Sequence, residues 1–287
     1  MTETSGIPSL RTEDRPSPFV TIVVAIRNVA AELKDSLDTF SRQTRRDFEV
    51  LIADCNSADD PAQHFAGRDY PITHVVQSDT GIYDAWNKVL PQARGEWLIF
   101  LGAGDTFAAA DTLEKAVHIL GNLPDQVLMA YGQVNVVGEN GEVLRQCGAP
   151  WPLALAEISR FDMFPHQATF QRRRTLAEYG LFDASYRIAG DTDMILRLAA
   201  KHAPFHFDLT VANFRYGGTS SSPNGRLSSI REMIRVMKAH GVPNRSTKFL
   251  VKAATLDLMN RLLPERVLHR MINFYRVVTG RKARYRF

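Results

Sequence analysis

The chain has 287 residues, 45% of them hydrophobic and 23% charged, enough apolar content for one large domain with a full core. Its net charge of +4 is carried by one end: residues 261–287 hold eight Lys or Arg against Glu265 alone, which leaves 27 basic and 30 acidic residues over 1–260. That asymmetry removes the main support for a nucleic-acid-binding protein, two cysteines (Cys55 and Cys147) are too few for a disulfide framework, and no run approaches 18 apolar residues, so no membrane-spanning helix is expected.

Residues 1–17 are polar and proline-dotted, with neither a basic n-region nor an apolar stretch, and predict a flexible leader rather than a signal peptide. Phe19-Val-Thr-Ile-Val-Val-Ala-Ile26 is a β-branched run of strand length, apolar enough for a sheet covered on both faces. Leu33, Leu37 and Phe40 then recur at helical spacing, with Asn28 upstream as the expected cap. Phe48–Ala53 predicts a second strand, Ile72–Val76 a short third, and Ile82, Ala85, Trp86, Val89 and Leu90 an amphipathic helix. Trp97–Leu101 is a fourth strand and runs into Gly102-Ala-Gly-Asp105. Strand–helix alternation at this pace predicts an α/β fold with a doubly wound, mostly parallel sheet, in which ligands bind beyond the carboxyl ends of the strands. Those ends carry Asp54, Asp79 and Asp105.

Farther on, Val127–Tyr131, Val134–Val137 and Glu142–Arg145 predict strands, with a hairpin turn at Asn140-Gly141. His166–Phe170 reads as a short strand after a loop, and Asp191–Ala200 as a helix. Residues 246–280 predict two helices with apolar stripes, and Arg281-Lys-Ala-Arg-Tyr-Arg286 follows. The expected division is a leader over 1–17, a domain over 18–222 and a basic amphipathic helical extension over 223–287. A basic amphipathic helix can lie on an anionic membrane surface; the same stripes can equally pack on the domain or on a second subunit. The expected location is the cytoplasm, peripheral on the inner face of the plasma membrane if the extension binds lipid.

The series Asp54-Cys-Asn-Ser, Ser78-Asp-Thr-Gly-Ile-Tyr-Asp-Ala-Trp-Asn-Lys88, Gly95-Glu-Trp-Leu-Ile-Phe-Leu-Gly-Ala-Gly-Asp105, His166-Gln-Ala-Thr-Phe170 and Asp191-Thr-Asp-Met-Ile-Leu-Arg197 resembles the family 2 inverting glycosyltransferases of the GT-A fold. Each piece alone is weak, whereas five in the right order across Val20 to Ser220 are specific. Within the family it looks most like the small enzymes of bacterial exopolysaccharide and colanic-acid-type assembly. The resemblance implies transfer of a sugar from a nucleotide-sugar donor, a UDP-sugar first and a GDP- or dTDP-sugar next, to a hydroxyl of a saccharide or lipid-linked acceptor. A nucleotidyltransferase would carry a Gly-rich basic loop after the first strand, and Ala25-Ile-Arg-Asn28 is not one. A catalytically silent sugar-nucleotide-binding or partner-binding protein is the other alternative.

By that resemblance Asp54 is the base-reading carboxylate, while Asp79, Gly81, Asn87 and Lys88 belong to the donor pocket. The family holds Mg²⁺ or Mn²⁺ with an Asp-X-Asp motif, and the matching triplet here, Ala103-Gly104-Asp105, retains only the last acid. The family's catalytic base lies in a Glu-Asp pair before a helix; Gly190-Asp191 replaces it, which makes Asp191 the candidate base and Asp193 the alternative. His166 and Gln167 match the acceptor-side loop. An aspartate at a loop–helix junction also serves as a plain helix cap, and that reading stays open for Asp54, Asp105 and Asp191. Gly217-Gly-Thr-Ser220 could order over the donor diphosphate through backbone N–H groups.

Overall fold

The computed structural model describes residues 17–138, 140–215, 223–243 and Val267. The expected leader, the Gly217–Ser220 loop and the two helices read over 246–280 therefore lie, wholly or almost wholly, outside the described residues. Strands β1 (Val20–Ile26), β2 (Phe48–Asp54), β3 (Ile72–Val76) and β4 (Trp97–Gly102) pair in parallel in the order β3-β2-β1-β4. The apolar runs of β1 and β2 are buried on both faces because successive side chains point to opposite sides of the pleat. Ile22, Val24 and Ile26 enter one core cluster and Val23 the other. Helix α1 (Ala30–Ser41) covers the first face with Leu33, Leu37 and Phe40, each fully buried and each contributing roughly 1.5–3 kcal/mol. Helix α2 (Ile82–Val89) covers the other with Tyr83, Ala85, Trp86 and Val89.

Past β4 the sheet turns mixed. It continues through β8 (Thr169–Arg172), β6 (Met129–Val137), β9 (Phe205–Arg215) and the two-residue β5 (Thr106–Phe107), while β7 (Val143–Cys147) pairs with β6. Strand β8 lies antiparallel to both β4 and β6, and β6 runs parallel to β9. The two segments expected as separate strands at 127–131 and 134–137 form one strand. Gly132 permits this, since a Cβ there would lie 2.4 Å from the Leu209 carbonyl oxygen of β9. The expected strand at His166–Phe170 starts as a 3₁₀ turn over His166–Ala168 and extends only from Thr169. Strand β9 was not among the predicted elements, although Phe205, Phe207, Leu209 and Val211 alternate as a half-buried strand should.

Helix α3 (Thr112–Leu120) lies against β9, and the short α4 (Leu153–Ile158) and α5 (Thr175–Tyr179) lead to α6 (Gly190–Ala199). Helix α7 (Pro223–Ala239) opens the expected extension. Its Val236 and Met237 are fully buried in the second core cluster with Tyr186, Ala189 and Met194, so this part of the extension is built into the domain. Among the described residues no helix is long and apolar enough to cross a membrane.

Candidate active site

The loops leaving β1 and β2 are stitched together at the carboxyl edge of the sheet. Asn28 and Asn56 take left-handed backbone conformations, φ 53° and 49°, which asparagine tolerates better than most residues. The Asn28 N–H donates to Ser57 Oγ at 2.9 Å and its Oδ1 accepts from Ala58 N–H at 2.8 Å. Asn28 is therefore a loop tie and not the cap expected for α1; the Ala30 N–H instead donates to Asp59 Oδ2 at 2.7 Å. Asp54 is buried among these loops. Its Oδ1 accepts the Ser57 N–H at 2.8 Å and its Oδ2 lies 2.9 Å from His74 Nε2. Burial works to raise its pKa, but hydrogen bonds from Ser57 and His74 outweigh it and the net shift is downward, so Asp54 is ionised at pH 7. His74 escaped the sequence reading, because its meeting with Asp54 depends on the parallel register of β2 and β3, which pairs it with Ile52.

A short turn after β3 launches α2. Asp79 Oδ1 accepts the Gly81 N–H at 3.0 Å, and Gly81 adopts φ 151°, a conformation open to glycine and strained for other residues. Asp84 Oδ2 accepts the Thr80 N–H at 2.8 Å and pairs with Lys88 Nζ at 3.0 Å. Lys88 Nζ also donates to the Ser78 carbonyl at 2.7 Å, so both residues brace the turn that carries Asp79. Asn87 is committed elsewhere: its Nδ2 donates to the Phe182 carbonyl at 2.8 Å and its Oδ1 accepts the Phe182 N–H at 3.1 Å. It acts as a clamp between α2 and the segment before α6.

Asp105 follows β4 and is 4% exposed, with Oδ2 accepting the Gly102 N–H at 2.8 Å. Burial pushes its carboxyl up to about 7, partly offset by N–H groups of Gly102 and Arg215 and by the Arg215 charge. Arg215 ends β9 beside this triplet, its Nη1 3.8 Å from where a Gly104 Cβ would stand, and it pairs with Asp35 at 3.2 Å. Among the described residues no group of three His, Cys, Asp or Glu could hold a metal. A lone carboxylate fits Mg²⁺ or Mn²⁺ as one ligand among substrate phosphates and waters, the mode in which Mg²⁺ usually binds.

Asp191 stands in the first turn of α6, whose preceding residue Ala189 makes no side-chain cap. Its Oδ1 accepts from the Thr192 N–H at 2.7 Å and the Tyr83 hydroxyl at 3.3 Å, and its Oδ2 lies 4.0 Å from His166 Nδ1. The single Tyr83 hydroxyl proton is directed mainly at the Ile188 carbonyl, at 2.6 Å, with Asp191 as the longer arm of the shared bond. His166 stacks on Phe100 of β4 at 5.7 Å and tilts against Trp86 of α2 at 5.6 Å. Burial lowers the His166 pKa against the opposing pull of Asp191, which makes it neutral at pH 7. Trp86 is core, as its helical spacing implies. Gln167 is half-buried beside His166. Asp193, the alternative base, is turned away from this cluster: it bonds Arg197 and, at 2.8 Å, His240 Nε2, tying α6 to the residues after α7.

Gly190, the first residue of α6, has no room for a side chain. A Cβ at Gly190 would lie 2.8 Å from Cδ2 and Cε2 of Tyr83, so any side chain there displaces the ring that orients Asp191. Gly190→Ala is expected to cost about 1–3 kcal/mol and to lower turnover. Chemical denaturation and nucleoside diphosphate release measure the two effects; a variant as stable and active as the parent would show that the ring moves freely.

The family of the chain follows from comparison with known proteins. The profile of "Glycosyl transferase family 2" matches residues 21–178, more than half of the chain. A "PGL/p-HBAD biosynthesis glycosyltransferase" of Mycobacterium bovis is 33% identical over 218 residues, covering 72% of this chain and 80% of that protein. An uncharacterized glycosyltransferase of Mycobacterium tuberculosis is 27% identical over 223 residues, covering 76% and 83%. Among solved structures, a mannosyltransferase from Pyrobaculum calidifontis in complex with GDP-Man and Mn²⁺ superposes with a TM-score of 0.62 at 17% identity, covering 93% of this chain and 82% of that one. S. aureus TarS 1–349 in complex with UDP-GlcNAc superposes with a TM-score of 0.57 at 15% identity, covering 88% and 78%. The fold is thus that of the GT-A glycosyltransferases, and the chain belongs to glycosyl transferase family 2 and is a glycosyltransferase.

Proposed function

We propose that this enzyme moves a sugar from a nucleoside diphosphate donor to a hydroxyl of a saccharide or lipid-linked acceptor, with inversion, in bacterial surface or exopolysaccharide assembly. The observation that carries the reading is the contact of Asp191 with Tyr83 and His166, which joins a carboxylate on α6 to the helix that starts at the Asp79–Gly81 turn and to β4. An acid so held can take the proton of an acceptor hydroxyl as its oxygen bonds the anomeric carbon and the bond to the diphosphate breaks on the opposite side. A neutral His166 sets no full positive charge against Asp191, and its ring N–H can donate to the acceptor.

On the donor side, each oxygen of Asp54 keeps a second lone pair after its bond to Ser57 or His74, enough to accept a base N–H such as that of uracil or guanine. Asp79 and Gly81 shape the pocket wall, and Asn87 and Lys88 fix that wall in place. A divalent cation, when bound, supplies Lewis-acid neutralisation of the leaving diphosphate, with Asp105 as its protein ligand. The complexes of the structural neighbours with GDP-Man, Mn²⁺ and UDP-GlcNAc support a nucleotide-sugar donor and a metal-assisted reaction.

A thermal-shift series with UDP-glucose, UDP-GlcNAc, GDP-mannose and dTDP-rhamnose, each with and without Mn²⁺, tests this. A true donor at 100 times its Kd should stabilise the fold by about 2.7 kcal/mol and release nucleoside diphosphate slowly to water. No shift and no release with any donor would count against the reading.

A further inference from the structure

Helix α7 directs a charged group at the backbone just ahead of Asp191. The carboxylate of Glu232 accepts three consecutive amides: Arg187 N–H at 3.0 and 3.1 Å, Ile188 N–H at 2.8 Å and Ala189 N–H at 3.0 Å. Ala189 immediately precedes α6, so Glu232 adds an anionic acceptor ahead of the helix, beyond its first-turn Asp191 and Asp193, where negative charge also meets the helix dipole favourably. The opposite side of the same stretch is held from α2, because the Ile188 carbonyl accepts the Tyr83 hydroxyl that also reaches Asp191. The three residues between Tyr186 and Gly190 are thus gripped from both sides.

Neighbouring groups on α7 fasten the flanks. The Arg235 guanidinium lies 4.1 Å over the Tyr186 ring and donates to Ser185 Oγ at 2.7 Å. His240, just after the helix, meets Asp193 at 2.8 Å. The Glu232 contact spans more than 40 positions, and a carboxylate that accepts three consecutive amide N–H groups holds those amides in place through charge-assisted bonds. From this we infer that Glu232 is a positioning residue: it fixes the loop that sets the angle and depth of Asp191, and α7 is a working part of the catalytic unit. The inference rests on Asp191 being the base.

The test uses the full chain with Glu232→Gln and Glu232→Ala. Amide hydrogen exchange over residues 187–191 should quicken roughly 10–100-fold in the alanine variant, as expected when bonds to a charged acceptor are lost. Nucleoside diphosphate release from the donor that binds best should fall roughly 10–100-fold in kcat, the scale of a displaced catalytic group. Binding of that nucleoside diphosphate should stay within about twofold, since the lost interaction acts in the transition state. Glutamine keeps one acceptor oxygen and should recover part of both effects, and it carries the test if alanine prevents folding. Unchanged exchange, or a kcat equal to the parent's while Asp191→Asn is inactive, would overturn the inference alone. An active Asp191→Asn would instead remove the reading of the base on which it stands.

Discussion

Asp191→Asn should lower turnover by roughly 10²–10⁴-fold, the usual contribution of a positioned base, while donor binding and melting temperature stay near those of the parent. The amide is nearly isosteric and can still accept from the Thr192 N–H and the Tyr83 hydroxyl, so the local fold has no reason to change. What it cannot do is take a proton from the acceptor. The control is Asp193→Asn, two residues on. That carboxylate is buried and bonded to Arg197 and His240, so its loss should appear as about 1–3 kcal/mol of stability and only secondarily in rate. Initial rates at saturating donor and melting curves on both variants separate the two roles. A stable, active Asp191→Asn beside an inactive Asp193→Asn would move the base by two residues.

Asp105→Asn is expected to abolish the Mn²⁺-dependent part of donor binding and to flatten the pH dependence of stability. The folded carboxyl titrates at about 7 because it is buried, against 3.8 for an ordinary aspartate. The folded state therefore holds a proton that the unfolded chain has released between those values, and stability contributed by this group is full below about pH 4 and declines as pH rises to about 7. The span is on the order of 4 kcal/mol as an upper figure. Metal binding has the opposite slope, because a cation must displace that proton and gains affinity as pH rises through the same window. Melting curves in EDTA across this range, and donor titrations with Mn²⁺ at its two ends, measure both slopes. Equal Mn²⁺-dependent donor affinity in variant and parent would remove Asp105 from the cation's coordination.

Much of the first half of the fold was legible in the chain because local rules decide it. The apolar run of β1, the helical spacing of Leu33, Leu37 and Phe40, and the acids following β2 and β4 are properties of segments shorter than 15 residues. Parallel strands covered on both faces read as continuous hydrophobic stretches, and ligands in such folds bind beyond the carboxyl ends of the strands, where these acids stand. Three of the five family motifs sit in this half, and the order of all five along the chain sufficed to point to the enzyme class.

The second half was decided by tertiary contacts. Strand β6 reads as two pieces because Gly132 interrupts its pattern, and the approach of β9, with the Leu209 carbonyl and the Phe207 ring where a Cβ would stand, explains that glycine. His74 reaches Asp54 through strand register, and Asp59 caps α1 from a different loop. A side chain at Gly190 would run into the Tyr83 ring, more than 100 residues earlier in the chain. Glu232 reaches the 187–193 segment from α7 and His240 from the residue just after it. By itself the sequence determined which residue types stand at the strand ends and hence the class of chemistry. The orientation of Asp191, the burial of Asp105 and the withdrawal of Asp193 toward α7 depend on groups distant in the chain, whose approach is set by core packing and not by any local preference.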